Sequence, residues 1–337
     1  MRKAFFIYLI IMISINIYAD IAKLVPTDNP YKDKKIEMFF IDVSDKYIWQ
    51  GSTDGVFAMD KKTEKWFKLK HKIFEKDYYN RVVDVDDDKV YISIATYSKE
   101  QREKDSKQPK GGFVRGPEGY GFAVYDYKTN KFKHYVIKSG GEIQSFAFDK
   151  DYMWCGNLYG VIKFIRKTEG MSYLYTDDMW INKMYMFSRD KYLWIGASEG
   201  GLDGEWLERA DKTTGKTKQF RIDGEIYNDT YWIVYDSGKY WIGCAKGLAS
   251  YNSKDGKWEM YSKEQGLISY RLYYIDSDKD KFWLGLQGGL MSMDKKTKKF
   301  TAHEEINKKI GSVIYYMVSD DDYLYISNPN GLFKFKK

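Results

Sequence analysis

Apolar and polar positions alternate along most of this chain in runs of a few residues, separated by glycine or by short charged turns. In the clearest stretch, Phe282-Trp283-Leu284-Gly285-Leu286 leads through a glycine turn into Gly289-Leu290-Met291-Ser292-Met293. Asp294-Lys295-Lys296-Thr297 then turns the chain back. Alternation with aromatic residues on one side is the pattern of a strand with one buried face, and Gly or Asp-Lys punctuation marks its turns. The pattern predicts strands at residues 272–275, 282–286, 290–293 and 299–302.

The same unit recurs. Taking the aromatic residue of each second strand as a marker gives Trp49, Tyr91, Trp154, Trp194, Trp241, Trp283 and Tyr325. The spacing is 40 to 47 residues except between Tyr91 and Trp154, where it is 63. A period near 40 residues with four strands per repeat is the mark of a propeller blade. The expected fold is therefore all-β: a seven-bladed β-propeller of four-stranded antiparallel blades, one domain over residues 20–337. The long step becomes an insertion at about 97–120, between the second and third strands of blade two. The last repeat lacks an outer strand, so residues 21–25 are expected to complete the seventh blade by pairing with 332–335, which would close the ring without an exposed edge.

The wording of the repeats adds to their spacing. Tyr261-Ser262-Lys263-Glu264-Gln265-Gly266-Leu267, followed by an inner strand, then Phe282-Trp283-Leu284-Gly285 and Gly289-Leu290, resembles the two-component regulator propeller repeat. The resemblance covers roughly residues 36–337 and is strongest in the first, fifth and sixth copies. In that family such blades commonly form the extracytoplasmic sensor region of hybrid histidine kinases, two propellers in series before a membrane span. The resemblance implies a sensor or scaffold role outside the cytoplasm. This chain departs from the arrangement in carrying one propeller, with neither a later span nor a kinase region.

The chain begins with the basic Met1-Arg2-Lys3, continues through an apolar run at 4–17, and reaches Tyr18-Ala19-Asp20. These are the three regions of a secretory signal peptide, expected at 1–19 with cleavage after Ala19 and export to the periplasm or beyond. An uncleaved anchor is the alternative, because Ile17 is larger than the residue preferred three positions before the cut. No later run is long enough to span a bilayer. The formal charge of +7 falls to +5 without Arg2 and Lys3, and its lysines are spread over every turn. A nucleic-acid binder needs that charge on one face, so no nucleic-acid partner is expected, and the protein is read as a monomer.

Candidate chemistry is sparse. The three histidines are dispersed, with His134 and His303 expected to face solvent from outer strands. No HExxH or CxxC motif is present. No catalytic residue, metal or cofactor is expected. Cys155 and Cys244 fall in different blades and read as buried thiols. Each repeat has an acidic turn, and Asp84, Asp86 and Asp88 have alternate spacing suited to calcium; capping of a tight turn explains the same residues.

The connections leading into inner strands define one face of the ring. There Tyr79, Arg81, Gln144, Trp180, Asn182, Tyr227, Asn228, Tyr270 and Arg271, with Arg115 from the insertion, could stack on and bond a ligand. Two classes of function remain: a non-catalytic exported propeller binding a ligand or an extracytoplasmic protein, and a lyase- or hydrolase-type propeller enzyme acting on a glycan or small molecule at the central channel.

Overall fold

A computed structural model describes residues 15–33, 36–71, 78–79, 82–96, 121–137, 142–176, 181–199, 205–220, 230–311, 313–314 and 316–337. Seven antiparallel blades follow one another in chain order. In blade six the strands are Leu272–Ser277, Lys281–Leu286, Gly289–Asp294 and Phe300–Ala302, matching the four expected there. The expected insertion at 97–120 lies outside the described residues, between the second strand Lys89–Thr96 and the third strand Gly121–Asp126 of blade two.

Each repeat buries its marker aromatic at the seam with the next blade. Trp49, Trp154, Trp194 and Trp241 are almost completely enclosed, and each of the seven seams has its own apolar cluster among the described residues. The glycine two positions after the marker has a packing cause. A Cβ at Gly196 would lie 2.6 Å from the Thr230 carbonyl oxygen, and one at Gly243 would lie 2.7 Å from that of Leu272. Thr230 and Leu272 begin the inner strands of the following blades, so the next blade's backbone passes where a side chain would project. The Gly-Leu turns have a conformational cause: Gly55, Gly247 and Gly289 have φ of 103°, 124° and 117°, a region costly for residues with a Cβ.

Closure differs from the expectation. Residues 21–25 do not pair with blade seven. Lys23–Thr27 adds a fifth strand to blade one along Trp66–Lys70, while Ile15–Ile21 adds one to blade two along Lys131–Ile137. Pro26 is tolerated because it lies on an outermost strand, where its missing N–H removes no ladder bond. Between these strands Ala22 is fully buried and its N–H donates to the Asn130 carbonyl at 3.2 Å. Leu24 packs on the cluster between blades one and two, so burial there selects this edge over that of blade seven. Among the described residues blade seven has three strands: Tyr316–Ser319, Tyr323–Asn328 and Gly331–Lys336. It meets blade one through side chains, with Tyr325 packed among Ile41, Ile48, Phe57, Met59 and Trp66.

The acidic turns contribute to the seams as well. After six of the seven third strands the first residue reaches the acidic turn of the preceding blade. Lys61 pairs with Asp320 at 2.8 Å across the closing seam. Lys212 pairs with Asp149 at 2.9 Å, Lys295 with Asp236 at 3.1 Å, Lys337 with Asp278 at 3.6 Å and Arg166 with Asp86. At the same position in blade two the Tyr127 hydroxyl donates to Asp45 at 2.7 Å. In blade five the position is Ser253, and Arg189 of blade four instead lies over the Tyr235 ring at 4.4 Å. The Asp-Lys-x-Thr turns that present these lysines are closed by their own aspartate: Asp60, Asp211 and Asp294 each accept from the N–H groups two and three residues on. One repeated turn thus both ends a hairpin and clasps a neighbour.

The histidines are placed otherwise than expected. His134 is buried, because Ile15–Ile21 covers its strand. Burial, with the charge of His71 added, holds it down to about 4. His303 follows the outer strand of blade six at the start of the helix Glu304–Ile310, where it lies 5.0 Å from the Trp283 ring and bonds the Ser292 hydroxyl at 3.0 Å.

Candidate functional site

Inner strands begin, and second strands end, on one face of the ring, because the strands are antiparallel. The residues expected on that face are only partly placed. Arg81, Arg115, Trp180, Tyr227 and Asn228 lie outside the described residues; Tyr79 and Asn182 are placed as strand backbone alone. Gln144 leads into blade three, its N–H donating to the Gly156 carbonyl. Tyr270 and Arg271 are exposed before the inner strand of blade six, with Lys263 4.7 Å from the centre of the Tyr270 ring. The remaining grouping of these residues around one mouth therefore stays an expectation.

On the same face a cavity of about 550 Å³ lies at the seam of blades seven and one. Its apolar lining comes from Tyr31, Ile36, Met38, Phe39, Tyr316 and Pro329, and its polar lining from Asp33, Glu37, Ser327 and Asn328. Local sequence explains how Tyr31 gets there. Asn29 caps the short 3₁₀ turn Pro30–Lys32 by accepting from the Tyr31 N–H at 3.0 Å, and Pro30 is buried. The turn sends the Tyr31 side chain inward, where its hydroxyl donates to Gln50 Oε1 at 2.8 Å and meets the Ser327 hydroxyl at 2.7 Å. One bond is to blade one and the other to blade seven. Sequence reasoning missed this strap because it assigned closure to residues 21–25; the Asn-Pro pair before an aromatic was the available signal.

The axis itself carries chemistry that the face does not predict. The inner-strand residue paired with each marker aromatic defines one level around the ring: Asp42, Asp84, Ala147, Phe187, Val234, Asp276 and Val318. All but Ala147 remain partly open, whereas their strand neighbours Ile41, Val83, Met186, Ile233, Ile275 and Met317 are buried. This alternation places the level against an axial hollow. Three of its seven positions are acids, on blades six, one and two.

Toward the crossover face lies an arc of aromatic rings from successive blades. Tyr185 and Trp232 have centroids 4.1 Å apart, Trp232 and Tyr274 4.0 Å, Tyr274 and Tyr316 6.0 Å, and Tyr316 and Phe40 4.8 Å. Tyr316 also lines the seam cavity.

Asp42 and Asp84 are strongly perturbed. Asp42 accepts from the Val43 N–H at 2.7 Å and from the Val85 N–H of the next blade at 2.6 Å. Burial still pushes its carboxyl up to about 7, with the charges of Asp276 and Asp86 acting in the same sense. Burial, then the charge of Asp42, raises Asp84 well above the carboxylate range. Among the described residues, no Lys or Arg pairs with Asp42, Asp84 or Asp276, and no three acidic, His or Cys side chains converge closely enough to hold a metal ion.

The fold is shared with known structures. The extracellular domain assigned to a hybrid two component system of B. thetaiotaomicron matches with a TM-score of 0.61 and 17% identity, over 93% of this chain and 41% of that one. A second such domain from the same organism matches at 0.59 and 13%, over 93% and 39%. The chain is a seven-bladed β-propeller. It is also similar to a computationally designed protein, Ika8, at 0.57 and 13%, over 94% and 99%. The propeller spans about two fifths of the two bacterial neighbours. No protein-family model and no curated protein matches it. No described helix is long and apolar enough to cross a membrane.

Proposed function

We propose that this propeller is an exported, non-catalytic binding protein that takes a ligand or protein partner on its crossover face, as a sensor or scaffold component of extracytoplasmic signalling. The observation that carries this reading is the cavity between blades seven and one. Its volume suits a small organic molecule, and aromatic walls with a few polar groups are the usual lining of a binding site. The extracellular domains among its structural neighbours support the same setting. Export would proceed through the signal peptide at 1–19. The expected cut after Ala19 falls within the strand Ile15–Ile21, and its loss would leave blade two with the four strands that suffice for blades three to six.

Two experiments test this. A thermal-shift screen of the mature chain against neutral mono- and disaccharides and small carboxylic acids should find a stabilising compound, and Phe39→Ala should remove its effect. A hit untouched by Phe39→Ala, or no hit, would count against ligand binding in the seam. Amino-terminal sequencing of the exported fraction should begin at Asp20; Met1 retained in a membrane pellet would contradict export by cleavage.

A further inference from the structure

We propose that the axial hollow is a second binding site, for a small organic ammonium ion held by Asp42, Asp84 and Asp276 beneath the aromatic arc. The argument begins with placement. One register level brings these three acids from blades six, one and two to the same stretch of the axis, and each residue is only partly buried. Their mutual influence agrees with that placement: the charge of Asp276 acts on Asp42, and that of Asp42 acts on Asp84.

A second, independent observation is the Tyr274 hydroxyl. Tyr274 is 5% exposed, and its hydroxyl has no hydrogen-bond partner. It lies within the influence of both Asp42 and Asp84. The Asp276 Oδ2 is likewise enclosed and without a partner. Buried polar atoms are nearly always satisfied in folded proteins, so a hydroxyl and a carboxylate oxygen left over at one place indicate a missing polar occupant.

The charge and the walls select its class. Three acids without a described Lys or Arg favour a cation, whose binding would ionise the acids that burial keeps protonated, and among the described residues the acids do not converge closely enough to hold a metal ion. A larger cation with an apolar body suits the remaining lining. Tyr185, Trp232 and Tyr274 pack against one another two positions before Phe187, Val234 and Asp276 on the same inner strands, and aromatic groups beside carboxylates are the chemistry that recognises ammonium groups. This site stands on its own observations and does not depend on the seam cavity.

The test is calorimetric titration of the mature chain with choline chloride and with n-propylammonium chloride, each against sodium chloride at equal ionic strength. At least one should bind saturably at a single site below about 10 mM, ten times a 1 mM dissociation constant. The Asp84→Asn/Asp276→Asn variant should weaken that binding by about tenfold or more. If that variant fails to melt cooperatively, Asp276→Asn alone serves, with the same direction expected. Asp33→Asn/Glu37→Gln, at the seam cavity, should leave the affinity unchanged. Heats for both ammonium salts equal to those of sodium chloride would show the hollow to hold water only and overturn the proposal. So would affinity that survives loss of the axial acids, or that is lost through the seam variant.

Discussion

At the scale of single residues, the repeat is held by two contacts that recur around the ring: the glycine beneath the next blade's backbone and the basic residue clasping the previous blade's acid. Gly243→Ala should cost about 1–3 kcal/mol, the usual range for forcing atoms into a packed site, because its Cβ would lie 2.7 Å from a backbone oxygen rather than a flexible side chain. Urea denaturation measures this, and a loss under about 0.5 kcal/mol would mean that the seam yields. At the closing seam, burial opposes the charge of Asp320, but the Lys61 ammonium, the Tyr323 N–H and the Tyr325 hydroxyl outweigh it and hold the carboxyl at about 2. A carboxyl held below its unfolded value stabilises the fold above about pH 4, and that contribution is lost as pH falls from about 4 toward 2. Lys61→Ala should remove about 1 kcal/mol at pH 7, as expected for a partly exposed pair, and should flatten the stability curve between pH 4 and 2.

At the scale of elements, the amino-terminal segment has two separate roles. The strands Ile15–Ile21 and Lys23–Thr27 cover the outer edges of blades two and one, whereas Asn29–Asp33 straps the closing seam. Removing residues 1–27 should leave one cooperative melting transition, since the closing seam is held by side chains and by Tyr31, which the truncation leaves in place. It should also promote aggregation through the uncovered edges. Tyr31→Phe keeps the ring but strands Gln50 and Ser327, which are 0% and 1% exposed. Its expected cost in urea is about 1–3 kcal/mol, the range for a buried polar group left without its partner. A melt split in two by the truncation, with Tyr31→Phe silent, would place closure in the strands after all.

Across the whole molecule, the axis sets a pH dependence opposite to that of the seams. A carboxyl raised in the fold holds its proton there while the unfolded chain has released it. Asp42, raised from 3.8 to about 7, therefore stabilises the fold fully below about pH 4, and that contribution disappears as pH rises to about 7. The groups facing it are Asp84, Asp86, Asp276, Tyr185 and Tyr274. Asp42→Asn keeps an acceptor for the Val85 N–H and removes the ionisation. The variant should be the more stable protein at pH 8 and should lose that advantage by pH 4, as read from melting temperatures in matched buffers. An advantage that is constant with pH would mean that Asp42 does not titrate in the fold.

The sequence alone determined the repeat, its seven copies and the strands within them. Strand alternation, turn glycines and Asp-Lys turns are local properties, and every copy states them again. Blade six follows the expected strands within one or two residues at most ends. What the sequence did not determine was where non-repeating pieces attach. Residues 23–27 are a short alternating strand that could pair with any open edge, and only the buried places for Ala22 and Leu24 beside blade one select one. Of the expected face residues, Gln144, Tyr270 and Arg271 are placed, whereas the seam cavity and the axial acids were not foreseen. Asp42, Asp84 and Asp276 are separated by tens to hundreds of residues, and each resembles an ordinary acid near a turn. They become one site only when seven inner strands converge on a common axis, because convergence brings together residues that share a register level but no stretch of chain.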